Sequence, residues 1–454
     1  MLLSFRERLT LFLIALLPFH ALLVTLGTRL MLGDTTHPPL EMLAIWKEVV
    51  LVGVLLLAGI EWVEMLRKKT ARLSVDVLDV LILLLVFLSI LLFVFGRPVS
   101  FESFALGFRY DLLASLSFVL LRRVPWSEWF WDVLPRVILV SGVVVSVYAL
   151  ITAFLPQGFF TMLGYSDLHS LYVPGRPIAA FQNIEAMGLR RLQGPMSGPN
   201  QMGLWLLIPL SVWMMRVRVR VFRFSFFVFG LLLWVALIMS FSRAAWVGAL
   251  VMGVVAEWQV IRRYSWRIGG GIVIVGLIGS VVFPSVLLRL SSSRGHLEKP
   301  FEAWHIMLRE PFGLGLGTAG PASNRMSDSC VMLEPGSDPS WARPHADLCV
   351  FVGDTQVQPT DRACNCPLLT ENWYLQIGVE LGWLGFLLYL GLILGILSSL
   401  FTFPHSRWVF FSFLALSVSA CFLHAWEDAA IAFTLWIALA ALFLPGRGSC
   451  WREL

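Results

Sequence analysis

Four arginines and one glutamate stand out in an otherwise apolar chain. Arg190 and Arg191 open the segment RRLQGPMSGPNQMG, in which Asn200 stands where an apolar run begins. Arg243 interrupts a long apolar stretch in SFSRAAWVG. Arg294 follows another apolar stretch in SSSRGHLEKPFEAWHIMLREPFGLGLG, and Glu371 precedes Asn372 and Tyr374 in TENWYLQIGVELGWLG. A guanidinium is always charged, planar and able to donate two parallel hydrogen bonds, which suits it to phosphate oxygens. A carboxylate can take the proton of a hydroxyl nucleophile. The chemistry these types would do together is group transfer, with arginines holding a lipid pyrophosphate and Glu371 activating an acceptor. No zinc-hydrolase pattern is present. GLGLG is no dinucleotide fingerprint, because no strand–turn–helix surrounds it; a tight turn returning the chain to the membrane is expected there.

These groups act together only if the chain carries them to one side of a barrier. The 454 residues are 58% hydrophobic and 14% charged, with a mean hydropathy of +0.79. A soluble domain is nearer half apolar and a quarter charged, and a disordered chain is poorer still in apolar residues. What is left is a polytopic membrane protein with one bilayer-embedded body, residues 1–454. About twelve runs approach the length a span needs, near 9–30, 49–66, 75–95, 104–121, 133–155, 199–215, 224–241, 244–261, 268–287, 372–398, 408–424 and 428–444. Helices are expected, since a helix satisfies its own backbone in lipid, whereas barrel strands would alternate apolar and polar residues. The first run, interrupted by Pro18 and His20, is expected to be an uncleaved span. The net charge of +5 does not point to nucleic acid, because the cations fall in short clusters between apolar runs.

Those clusters orient the chain. With the N-terminus inside, nineteen of the 34 Lys and Arg fall in inside segments and five in the short outside ones. Both termini are therefore expected in the cytoplasm, and two long loops, 157–198 and 288–371, outside. Within the second, Phe301, Trp304, His305 and Leu308 recur at helical spacing and predict an amphipathic helix on the outer membrane surface; a helix that merely covers the bundle fits the same pattern. Cys330, Cys349, Cys364 and Cys366 share this loop. An even number outside the cell predicts one or two disulfides, with three pairings open; a zinc site is the weaker alternative. Gly382 and Gly385 are small residues suited to close helix packing.

The order and spacing of these pieces resemble the O-antigen ligase and O-antigen polymerase superfamily of bacterial envelope glycosyltransferases. The matching elements run from Arg191 to Asn200, through Ser242–Arg243, then Arg294, Trp304, Pro311, Gly313 and Gly315. They end with Asn372, Tyr374, Leu375, Glu380, Gly382 and Gly385. The likeness covers about residues 185–400. It implies an all-α, GT-C-like fold of about twelve transmembrane helices with a large periplasmic loop before the last three. It implies transfer of a glycan from undecaprenyl diphosphate to an acceptor hydroxyl on lipid A core, another glycan or a protein, with no metal and no cofactor, in the bacterial inner membrane. Family members carry His where this chain has Glu371. Glu371 is therefore the expected base, with His345, His305 and His296 as further candidates, and Arg191, Arg243 and Arg294 as the diphosphate clamp. Arg190, Asn200, Asn372 and Tyr374 are expected to contact substrate.

A ligase-like transferase is the first expectation and a polymerase of the same superfamily the second. The competing class is a lipid-linked glycan transporter. It would place ionisable groups deep inside spans. The candidates for such a path, Lys47, Glu48, Arg109, Asp111, Glu427 and Asp428, fall near span ends and make only a thin polar pathway.

Overall fold

The computed structural model describes residues 2–33, 40–70, 75–165, 183–184, 189–217, 224–263, 290–333, 335–343, 348–402 and 407–443. Most of them are helical. The helices of seven or more residues are α1 Leu2–Leu32, α2 Trp46–Arg67, α3 Val77–Phe95, α4 Phe101–Leu121, α5 Glu128–Ala153, α6 Pro199–Val217, α7 Phe224–Met239 and α8 Arg243–Ala256. After them come α9 Leu290–Arg309, α10 Gly320–Met326, α11 Trp373–Phe401, α12 Arg407–Ser419 and α13 Ala429–Leu442. Among the described residues, α1 to α5 and α11 are long and apolar enough to cross a membrane; α7, α8, α12 and α13 are shorter apolar helices. Each expected run falls on one of these helices except that near 268–287, which lies outside the described residues.

Local sequence sets where helices start and break. Asp76 caps α3, accepting from the Leu78 and Asp79 N–H groups while Asp79 reaches back to Asp76. Ser127, Asn372 and Asp428 cap α5, α11 and α13 in the same way, each satisfying an N–H with no helical partner. α1 tightens into a 3-10 turn at Leu17–Phe19, where Pro18 has no N–H to give.

Packing is organised around α13. AAIAFTLWIALAAL is apolar on every side, and each residue from Ala430 to Ala441 is buried. Its alanines let α4 and α12 approach closely. The peripheral helices do the reverse. Leu56, Ile60, Phe87, Val94, Ile151 and Leu387 all face outward. An apolar belt of this extent is matched to lipid rather than water.

The two ends of the bundle differ. Where α1 begins, charges are paired within the protein: Arg6 with Glu61, Arg122 with Asp76 and Asp79, and Arg123 with Asp79. The other end carries segment 288–371. There α9 buries Ala303 and Met307 beside α11 and leaves Phe301, Trp304 and Leu308 exposed. This segment also departs from a purely helical chain. Strands β3 Cys330–Leu333, β4 Cys349–Val352 and β5 Thr355–Gln358 form a sheet; two-residue strands β1 Asn183–Ile184 and β2 Leu189–Arg190 pair elsewhere. β3 and β4 run parallel with Cys330 opposite Cys349, and β5 returns antiparallel. Disulfides Cys330–Cys366 and Cys349–Cys364 staple it. All four sulfurs are thereby used, which removes the zinc alternative. That the four cysteines form disulfides was legible in the sequence; which pairs form was left open there, and the short valine-containing runs between them form the strands.

Candidate functional site

At the end opposite the paired charges, α1, α2, α4, α10 and the turn before α13 enclose a cavity of about 310 Å³. That is the size of a small-molecule site. Each wall brings polar groups. His20 follows the Pro18 turn of α1; its Nδ1 accepts from Trp46 Nε1 at 3.0 Å and its Nε2 lies 3.2 Å from Lys47 Nζ. Lys47 also reaches Glu48 at 3.0 Å, and Glu48 in turn accepts from Arg109 Nε at 2.6 Å. Arg109 and Tyr110 lie on a π turn, Phe108–Leu112, inside α4. A π turn inserts one residue into the helix and recurs at functional sites. Here Arg109 and Tyr110 line the cavity, while the next residue, Asp111, accepts from Gln376 of α11 at 3.1 Å. α10 adds Asn324 and Arg325, the latter 6.0 Å from the Tyr110 ring centre. Glu427 and Asp428 complete the wall.

The charges are unevenly compensated. Lys47 and Arg109 share Glu48. Arg325 is exposed and has no carboxylate partner among the described residues. Burial pushes the Glu427 carboxyl well above the usual carboxylate range, helped by the charges of Asp111, Asp428 and Glu371. Burial also raises Asp428, against the pull of the α13 N–H groups of Ala430 and Ile431. The lining thus combines the cationic Arg325 with two carboxyls of raised proton affinity.

The glycine-rich segment sits next to this cavity and braces it. Gly313, Gly315 and Gly317 all have positive φ. Leu314 and Gly315 donate to the carbonyls of Val379 and Glu380, and Glu380 Oε1 accepts from Gly317 and Ala319 at 3.0 Å. A Cβ on Gly317 would lie 2.0 Å from the Ser103 carbonyl oxygen. The segment therefore wedges between α4 and α11. Gly382 takes part too: α11 breaks there, at φ 69°, and a Cβ would meet the Pro311 carbonyl. Its smallness admits the loop backbone rather than a neighbouring helix, as helix-packing glycines would.

The residues singled out in sequence take these positions. Arg190 stacks over Phe160 at 4.4 Å and donates to the Leu155 carbonyl at 3.0 Å, closing the end of α5. Arg191 is buried and donates to the carbonyls of Ser240 and Phe241 and, at 2.8 Å, to Asn200 Oδ1. It holds the turn that leads into Arg243, the half-buried first residue of α8. Asn372 caps α11 and donates to the Cys421 carbonyl; Tyr374 donates to the Ser417 carbonyl. Both tie α11 to α12. Glu371 pairs with Lys299 at 3.2 Å. His305 is exposed on α9. Arg294 lies on the α9 backbone, with its side chain outside the described residues, as is all of His345. Among the described residues, Arg190, Arg191, Asn200, Arg243, His305, Glu371, Asn372 and Tyr374 do not line the cavity, although Met196, Ser197 and Gln201 from the Arg191 segment do. Phe241 and Glu371 share one further feature, φ near +50° in a residue with a Cβ. That backbone is strained, and such strain gathers where geometry matters.

No family model and no curated protein matches this chain. The cavity therefore has to be read from its own groups. His20, Tyr110, Gln201 and Arg325 were not marked by the motif pattern. The signal that could have found the first two is the polar residue inside an otherwise apolar run; the others lie in or beside loops, where polarity is ordinary.

Proposed function

We propose that this chain is a membrane glycan transferase. It moves an oligo- or polysaccharide from undecaprenyl diphosphate to an acceptor hydroxyl, most closely in the manner of an O-antigen ligase. The observation that carries the reading is the cavity, whose lining holds Arg325, with no carboxylate partner among the described residues, together with Glu427 and Asp428. Displacement from a glycosyl diphosphate needs two things: positive charge for the leaving diphosphate, and a proton acceptor for the hydroxyl. Both are at hand. The apolar belt gives the polyprenyl tail a lipid phase beside the site. Two disulfides at the cavity end support an oxidising, extracytoplasmic side, consistent with an inner-membrane protein whose termini are cytoplasmic. The GT-C-like, twelve-span arrangement belongs to this proposal. In this reading Arg325 takes the diphosphate in place of the clamp expected of Arg191, Arg243 and Arg294, because Arg191 donates to Ser240, Phe241 and Asn200 and holds the turn before Arg243.

The acceptor is lipid A core in the ligase reading and a second lipid-linked glycan in the polymerase reading. The test is transfer by purified protein in proteoliposomes, from undecaprenyl-diphosphate oligosaccharide to each acceptor. A modified acceptor establishes the activity, and which acceptor is modified separates the two. One observation favours transport instead: His20, Lys47, Glu48, Arg109 and Asp111 all lie within spanning helices. Donor that crosses the bilayer with no acceptor modified would establish that second reading.

A further inference from the structure

Several carboxyls lie at or near the cavity, and the reaction needs one to be a base. Four are already engaged. Glu48 is held between Lys47 and Arg109. Asp428 accepts from the Ala430 N–H as the cap of α13. Asp111 accepts from Gln376 beneath the cavity and does not line it. Glu371 is paired with Lys299 and lies outside the lining. A lysine beside a carboxylate stabilises its charged form and so weakens it as a base.

Glu427 differs in combining a place in the lining with an oxygen that has no donor; Asp111 Oδ2 also lacks one among the described residues but lies outside the lining. Glu427 Oε2 is buried and accepts no hydrogen bond among the described residues, with His424 Nδ1 standing 3.9 Å away, beyond hydrogen-bond range. A buried carboxylate oxygen left without a donor is costly, and a fold that only needed Glu427 for stability would supply one. The turn that carries it, between α12 and α13, also begins the most buried helix of the bundle, so its backbone is firmly placed.

We infer that Glu427, rather than Glu371, is the catalytic base that takes the acceptor's proton. This rests on the transferase reading above. In the step, the acceptor hydroxyl oxygen bonds to the anomeric carbon of the donor sugar. The bond from that carbon to the diphosphate oxygen breaks, its electron pair leaving on the diphosphate beside Arg325. The hydroxyl proton passes to the Glu427 carboxylate. Attack opposite the leaving group inverts the anomeric centre. Burial and the nearby carboxylates raise the proton affinity of Glu427.

The experiment uses the full chain in proteoliposomes, undecaprenyl-diphosphate oligosaccharide as donor, and separate lipid A core and lipid-linked glycan acceptors. Glu427→Gln should lower kcat about 10²- to 10⁴-fold, with donor KM within a few-fold of wild type. Glu427→Asp should recover part of the rate, and Glu371→Gln should keep turnover within about fivefold. A Glu427→Gln protein that melts as wild type and turns over normally would overturn the assignment. So would loss of turnover in Glu371→Gln alone. If wild type modifies neither acceptor, the transferase reading itself fails and the base falls with it.

Discussion

Arg325 and Arg191 show how the same side chain can do opposite work. Arg325 is exposed to the cavity and its contact is the Tyr110 ring. A charge-assisted hydrogen bond to a ligand is worth about 1.5–3 kcal/mol. Arg325→Ala should therefore raise donor KM roughly 10- to 100-fold, measured by initial rates over a donor series. Arg325→Lys should restore only part, since an ammonium lacks the planar fork. Arg191 spends its donors on Ser240, Phe241 and Asn200 inside the protein. Removing it leaves buried acceptors unmatched, at a cost on the order of 3 kcal/mol. Arg191→Ala should lower the melting temperature in detergent. A variant that melts normally but cannot transfer would show that Arg191 acts on substrate instead. Arginines of both kinds stand in loops of similar composition, so residue type alone could not separate them; their partners do.

At the scale of elements, the glycine segment and α9 each make a distinct demand. Gly317 has φ +85° and no room for a Cβ beside the Ser103 carbonyl. Gly317→Ala should disrupt the wedge between α4 and α11, seen as poor recovery of folded protein on size-exclusion chromatography; a normal elution profile would mean the wedge can shift. α9 exposes Phe301, Trp304 and Leu308 on one side. If that side meets the outer leaflet, a nitroxide at position 308 should collide more often with oxygen than with a water-soluble nickel complex, and the reverse result would place α9 in water. The helices themselves were legible, because a span is a run of apolar residues and runs survive small boundary errors. The π turn at Arg109 and the break at Gly382 were not. Both depend on which neighbour crowds the backbone, and hydropathy carries no record of neighbours.

For the whole molecule, the belt of outward apolar side chains and the stapled sheet define an embedded body with one decorated end. The Cys349–Cys364 bridge spans 15 residues. A loop of that size is worth about 3 kcal/mol in the chain-entropy account. After reduction, a membrane-impermeant maleimide should label the four loop cysteines in intact inner-membrane spheroplasts. Labelling only after the membrane is breached would reverse the orientation inferred from the arginines and lysines.

The amino-acid sequence by itself determined that the chain lives in lipid, where its apolar runs fall and which loop holds its cysteines. These are properties of composition and run length, and they do not depend on how helices rotate about their axes. It also marked Lys47, Glu48, Arg109, Glu427 and Asp428 as ionisable groups near span ends. Only the tertiary structure decided that these five meet His20 and Arg325 around one cavity, while Arg190, Asn372 and Tyr374 fasten helices to one another. Convergence is set by helix rotation, by one inserted residue in α4 and by backbone contacts at glycines, which bring together positions hundreds of residues apart in the chain.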